Sequence, residues 1–439
     1  MDKTPLDDWI GRKIGLQPGD LSREAIEDYQ LNRLRETMAL AKEKSAYYRK
    51  SLALVDPRQI TFAEFAELPF TFPQDIQHNP LKFICTSQNE IDRIVSLQSS
   101  GTTGEPKRIY FTKEDQELTI DYFDYGMRNL VGPMDRVLIL LPWEVPGSVG
   151  DLLRMGLERM NAYPIPYGPV YDAGEAIEAA LEYQINSMVG IPNHVLSMAR
   201  HERSDLLKGR IKSVLLTTDH VPNSVAQTIE EKWNCQVFNH YGMTEMGLGG
   251  GVQCSARLSY HLREADLYFE IINPETGGLL PEGELGEIVF TTLTRRGMPL
   301  IRYRTGDSSR FTPGNCPCGS VLRNMEVVKG RISGKQELAG IELSMAELDE
   351  VLFPVDGVLD FQCNIEEADG MDYIYLNLMK AESQTLDEQG IHRALQTIPA
   401  IRNGMDQDQL KVVVNVSENR FPVSKGTLKR KILDNRLNC

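Results

Sequence analysis

The chain has 439 residues, 41% of them apolar and 25% charged, a globular composition that excludes a disordered or fibrous protein and exceeds the roughly 250–300 residues of one hydrophobic core. Its 62 Asp and Glu against 47 Lys and Arg give a net charge of −15, which excludes a general attraction to nucleic acid or anionic lipid. The opening MDKTPLDDWIGRK lacks the order of a signal peptide, no apolar run approaches the roughly 18 residues of a membrane span, and seven cysteines are an odd number for a disulfide framework, so a cytoplasmic protein with no nucleic-acid or membrane partner is expected.

Residues 21–52 place Ile26, Tyr29, Leu34, Met38 and Ala41 at helical spacing, which predicts one amphipathic helix packed on the body; a coiled-coil partner helix is the rival. From about 90 to 250, apolar runs at 136–143, 187–192, 213–218 and 236–242 alternate with helical stretches, the pattern of an α/β sheet covered on both faces. Between 266 and 312 the pattern becomes strand, turn, strand, with turn signals at 273–278 and 281–286, which predicts a β-rich subdomain. The apolar pattern stops at 329–335, where a linker is placed. About a hundred residues of small α+β character follow.

The densest chemical signal is Ser99-Ser100-Gly101-Thr102-Thr103-Gly104-Glu105-Pro106-Lys107. Glycines let backbone N–H groups approach a phosphate, hydroxyls donate to it and Lys supplies charge, although a flexible polar turn has the same composition. Two further segments, Tyr241-Gly242-Met243-Thr244-Glu245 and Tyr303-Arg304-Thr305-Gly306-Asp307, follow in order. Together with the QLNRLRETMALAKEKSAYYR opening and GEIVFTTLTRRGMPLIRYRTGD, they resemble the adenylate-forming superfamily, specifically its phenylacetate–CoA ligase-like branch, over most of the chain.

The resemblance implies a large N-terminal adenylate-forming domain of layered α/β sheets plus a β-rich subdomain (1–330), and a small mobile α+β C-terminal domain (331–439). It implies an ATP-dependent, AMP-forming ligase that joins a small carboxylic acid to coenzyme A through an acyl-adenylate, and by analogy a homodimer. In that reading Ser99, Ser100, Gly101, Thr102, Thr103, Gly104 and Lys107 embrace the ATP phosphates. Tyr241 stacks on adenine beside Gly242, Thr244 bonds the α-phosphate, Glu245 helps hold Mg²⁺, and Asp307 accepts the ribose hydroxyls of ATP or AMP. Arg331 reaches ribose or phosphate, and Asp219 is the carboxylate kept in an altered adenine segment, Thr217-Thr218-Asp219.

The chain departs from the family near its end, where Thr427 stands at the position of the family's adenylation Lys. Lys425 or Lys429 is expected to substitute, the other readings being an impaired first half-reaction or a plain basic surface run. After Arg331, Ser333 and Gly334 replace the family's acidic residues, and a glycine there still allows hinging. An enzyme that stops at the AMP-activated product, and a non-catalytic nucleotide-binding homologue, are the competing functions. The acid pocket is assigned to Trp143, Gly147, His194 and His240, of which Trp143 and His240 suit an aromatic or planar acid, with Trp143 equally readable as core.

Finally, Cys254, His261, Cys316 and Cys318 supply three thiols and an imidazole, a tetrahedral structural zinc set. Buried reduced cysteines and a redox pair are the alternatives.

Overall fold

The computed structural model describes residues 2–97, 106–332, 334–381, 385–417 and 430–436. The chain forms two compact units. One comprises Met1–Asp135, Pro142–Pro166 and Phe238–Val328, the other Arg136–Leu141, Tyr167–Val237 and Lys329–Cys439. The boundary at Val328/Lys329 falls two residues before the division placed at 330/331, and the residues after it share their unit with two earlier segments.

In the first unit, helix Arg23–Lys44 starts at Ser22, whose hydroxyl accepts from the Ala25 N–H. It buries Ile26, Leu34, Met38 and Ala41, as the periodicity predicts, while Tyr29 is only partly buried and donates to the Ala265 carbonyl. The expected continuation to residue 52 is broken at Ser45. Its backbone is extended (φ −83°, ψ 127°), its hydroxyl caps a second helix, Ala46–Ser51, and the same hydroxyl donates to the Lys82 carbonyl at 2.7 Å. A side chain able to bond neighbouring backbone competes with helix continuation, and here that competition wins.

Three β systems complete this unit. Strands Ile91–Leu97 and Lys107–Thr112 pair antiparallel with Leu97 opposite Lys107, so they flank the glycine and hydroxyl run on both sides. Strands Leu267–Ile272, Gly286–Thr292 and Tyr303–Ser309 form the antiparallel sheet predicted for 266–312, its first turn fixed by Asn273, whose side chain accepts from Glu275 and Thr276 N–H groups. The end of strand Gln236–Tyr241 pairs antiparallel with Gly251–Gln253, which pairs with Tyr260–Leu262, itself paired with Asn324–Met325. One core gathers Leu34, Phe65, Phe83, Phe111, Tyr241, Met246, Phe269, Phe290 and Tyr303. Each large side chain so buried contributes about 1.5–3 kcal/mol, and the same packing brings the strands carrying two chemical motifs together.

In the second unit, strands Arg136–Leu140, Ser187–Gly190 and Ser213–Leu216 run parallel in register, with Leu138 opposite Met188 and Met188 opposite Val214. Arg136 alone among their residues is exposed, which explains their continuous apolar runs. Residues 358–434 supply a four-stranded sheet in the order Leu410–Ser417, Met371–Lys380, Val358–Ala368, Ile432–Asp434. Two arginines join these parts. Arg200 donates to the backbone carbonyls of Phe353, Val355 and Val358, and Arg430 pairs with Asp219, Asp349 and Asp360 while lying over the rings of Phe353 and Phe361. The α/β class holds throughout, and among the described residues no helix is long and apolar enough to cross a membrane.

Candidate active site

Lys107 opens its strand at the edge of the first unit's core, and its ammonium is paired with the carboxylate of Glu245, which is 4% exposed. The Tyr303 hydroxyl completes a triangle, 3.0 Å from Lys107 Nζ and 3.0 Å from Glu245 Oε1. Burial opposes ionisation of Glu245, but the neighbouring ammonium and the hydrogen bonds outweigh it and hold the carboxyl below its usual range. Thr244 and Glu245 sit on a single 3₁₀ turn, Thr244–Met246, half-exposed and buried respectively. That turn is fixed from behind by Arg295, which donates to the Glu245 carbonyl at 2.7 Å and stacks 4.8 Å from the centre of Phe111. Burial lowers the Arg295 guanidinium to about 10, so it stays charged at neutral pH.

A second junction joins the other two motifs directly. The Tyr241 hydroxyl donates to Asp307 Oδ2 at 3.0 Å, and both residues are buried. Gly242 follows because nothing larger fits: a Cβ there would lie 2.3 Å from the Leu248 carbonyl oxygen. Lys107, Tyr241, Gly242, Thr244, Glu245 and Asp307, from three separate stretches of sequence, thus belong to one unit.

The pocket residues divide. Trp143 is 37% exposed, so it is no core residue. Gly147 has φ 73°, a left-handed backbone conformation that favours glycine. His240 lies beside Tyr122 and Phe123, with ring centres 6.2 and 6.3 Å away. Burial, reinforced by Arg263, pushes it down to about 4, which leaves a neutral imidazole at pH 7. His194, Asp219 and Arg331 belong to the second unit. There His194 Nδ1 accepts from the Val170 N–H, the Asp219 carboxylate is taken by Arg430, and Arg331 is exposed. Ser99, Ser100, Gly101, Thr102, Thr103 and Gly104, with Ser333, Lys425, Thr427 and Lys429, lie outside the described residues.

Tyr303, Arg295 and Arg430 had no role in the sequence-based expectations. The only signal for the first was its place in the Tyr303–Asp307 motif. The two arginines had none, because their partners are 50 or more residues away in sequence.

The Cys/His set also assembles. Cys254, His261, Cys316 and Cys318 are all buried, and their ligand atoms lie within 4.8 Å of one another. Cys254 and Cys316 sulfurs are 3.7 Å apart, and Cys318 Sγ is 3.4 Å from His261 Nε2. Zinc–ligand bonds of about 2.3 Å to sulfur and 2.0–2.1 Å to nitrogen at tetrahedral angles require separations of about 3.8 and 3.5 Å, so the residues fit that metal. Burial pushes the Cys254 thiol up to about 12 and His261 down to about 4, the environment of a site that a cation would complete.

These features define an enzyme class. The family model for AMP-binding enzymes matches residues 36–293, and the chain belongs to that family, within its phenylacetate–CoA ligase-like branch of AMP-forming acid–thiol ligases. The phenylacetate-coenzyme A ligase of Pseudomonas putida is 26% identical over 422 residues, covering 93% of this chain and 92% of that one. Its counterpart from Escherichia coli (strain K12) is 25% identical over 423 residues, covering 93% of each. Among solved structures, 2-hydroxyisobutyryl-CoA ligase in the postadenylation state with 2-HIB-AMP superposes with a TM-score of 0.79 at 19% identity, over 97% of this chain and 95% of that one. That likeness concerns the fold.

Proposed function

We propose that the protein is an ATP-dependent, AMP-forming ligase that joins a small, preferentially aromatic, carboxylic acid to coenzyme A through an acyl-adenylate. One observation supports the reading: the Lys107–Tyr303–Glu245 triangle and the Tyr241–Asp307 bond bring together, from three distant motifs, the residues that the reading assigns to phosphate, cation and ribose.

In the first half-reaction an oxygen of the substrate carboxylate attacks the α-phosphorus of ATP and pyrophosphate leaves. Lys107 supplies charge to the phosphates, the Thr244 hydroxyl faces the α-phosphate, and Asp307, an acceptor only, takes the ribose hydroxyls with Tyr241 against adenine. Glu245 fits Mg²⁺ as a buried carboxylate already held ionised, and the ion would neutralise charge on the phosphate oxygens. Ser99, Ser100, Thr102 and Thr103 complete the phosphate contacts, and Lys425 or Lys429 approaches the α-phosphate in place of Thr427. In the second half the coenzyme A sulfur attacks the acyl carbon and AMP leaves, the C-terminal residues from 331 onward turning about the linker between the halves.

The preference for an aromatic acid rests on Trp143, the neutral His240 and its neighbours Tyr122 and Phe123. Zinc on Cys254, His261, Cys316 and Cys318 is structural, since four protein ligands leave no open position. Thr427 keeps a second reading in view, an enzyme that releases its acyl-adenylate without coenzyme A.

Pyrophosphate, AMP and acyl-CoA formation measured with ATP, Mg²⁺, coenzyme A and a panel of aromatic and short-chain acids tests both. Acyl-CoA accumulation with an aromatic acid is expected. Adenylate without thioester would favour the second reading, and ATP binding with no AMP from any acid would end both.

A further inference from the structure

The three groups around Glu245 raise a problem of hydrogen-bond supply. Lys107 has donors only, the Glu245 carboxylate accepts only, and a phenol offers one donor and two lone pairs. The distances therefore fix the pattern: Tyr303 donates to Glu245 Oε1 and accepts from Lys107 Nζ. With Glu245 almost wholly buried, an ammonium that turns away towards phosphate leaves a buried carboxylate short of a donor. Tyr303 cannot follow the ammonium. It is 1% exposed, its ring packs 5.3 Å from Phe290, and its strand is held by pairing with Phe290 on one side and a bridge to Thr71 on the other.

We propose that Tyr303 is the positioning residue that lets the Lys107–Glu245 pair open for the nucleotide: its fixed hydroxyl keeps Glu245 Oε1 in place while Lys107 transfers to phosphate and the other carboxylate oxygen is presented to a divalent cation. The argument rests on the ligase reading only for what enters the site. It also explains why a tyrosine, rather than a phenylalanine of equal packing value, stands at this core position.

The Tyr303→Phe variant keeps the ring and removes the hydroxyl. Calorimetry gives the affinity for AMP without metal, then for ATP across a Mg²⁺ titration, with thermal unfolding alongside. A hydrogen bond to a charged group is worth enough that the Mg²⁺-dependent gain in ATP affinity should fall about tenfold, and the KM for ATP–Mg²⁺ should rise by a similar factor with kcat changed less. AMP affinity without metal should stay within about twofold on the same grounds. In a Glu245→Gln background, which has no carboxylate to hold, Tyr303→Phe should change the Mg²⁺ dependence little. An unchanged Mg²⁺ dependence in the single variant, or AMP affinity falling in parallel with ATP affinity, would overturn the proposal. Wild-type protein that gains nothing from Mg²⁺ would overturn it too, by removing the cation from Glu245. Wild-type protein that shows the gain but forms no acyl-CoA would count against the ligase reading alone.

Discussion

Gly242 ties the segment that carries Tyr241, Thr244 and Glu245 to the backbone packed against it. Alanine there would place its Cβ 2.3 Å from the Leu248 oxygen, 2.8 Å from the Leu248 carbonyl carbon and 3.0 Å from the Gly249 Cα. Ordinary contact needs about 3.4 Å, so roughly 1 Å of movement is demanded. All three atoms are backbone, and that backbone is tied down: the Leu248 N–H donates to the Met243 carbonyl and the Gly250 N–H to the Tyr241 carbonyl, each at 2.9 Å. The movement therefore falls on the segment carrying Tyr241, Thr244 and Glu245. A displacement of that size at reacting groups costs on the order of 100-fold in kcat/KM, and the overpacking costs about 1–3 kcal/mol of stability. Gly250→Ala is the control, because its Cβ would meet at 2.8 Å the sulfur of Met246, a flexible side chain that can yield. ATP–Mg²⁺ affinity by calorimetry and pyrophosphate release are the assays, with urea unfolding beside them. A Gly242→Ala protein that binds ATP as the wild type does would refute the reasoning.

Metal analysis of protein expressed with ample zinc should find about one zinc per chain, and Cys254→Ser should lower both that content and the melting temperature; a content near zero would return the three thiols to the status of buried cysteines. Arg302→Met should cost about 3–5 kcal/mol in urea, since it strips the partner from a buried carboxylate, Glu270, which burial already pushes up to about 6 against the pull of Arg302. Adding Glu270→Gln should restore part of the loss, and no recovery would mean the arginine acts through its contacts to Leu68 and Phe70 instead. Burial, countered by Arg430 and assisted by Asp219, pushes Asp349 up to about 7. The folded chain thus keeps a proton that the unfolded chain gives up near pH 4, so stability should fall as pH rises from about 4 to 7, by at most about 1.4 kcal/mol per unit. Asp349→Asn should flatten that slope, and identical slopes in the two proteins would contradict the assignment.

Much of the fold was legible because its parallel strands are buried on both faces and read as unbroken apolar runs, as at 187–190 and 213–216. The antiparallel 266–312 segment declared itself through Asn273 and its turn. Ser45 did not, because a serine inside a helical pattern breaks it only when a partner such as the Lys82 carbonyl is in reach, and that partner comes from tertiary structure. In the site, residue types told where chemistry is placed but not how it is wired. Tyr241, Glu245 and Asp307 were legible as motif members, whereas the bonds from Tyr241 to Asp307 and from Tyr303 to Glu245 join residues 66 and 58 positions apart. The supporting arginines, Arg295 and Arg430, were invisible for the same reason. The Cys/His set was legible by donor type despite unusual spacing, because three thiols and an imidazole have few other common uses.

The Lys107–Glu245 pair also bears on the history of the chain. The rings of Tyr241 and Tyr303 serve packing as well as chemistry, and a phenylalanine would pack equally well at either position. A buried ion pair is different, because well-packed apolar side chains of similar volume are commonly as stable or more stable by about 1–4 kcal/mol. A lineage released from catalysis would drift towards such replacements with nothing lost in folding. The charges at Lys107 and Glu245 thus add little to folding that apolar side chains would not supply, which sets this pair apart from the packing around it.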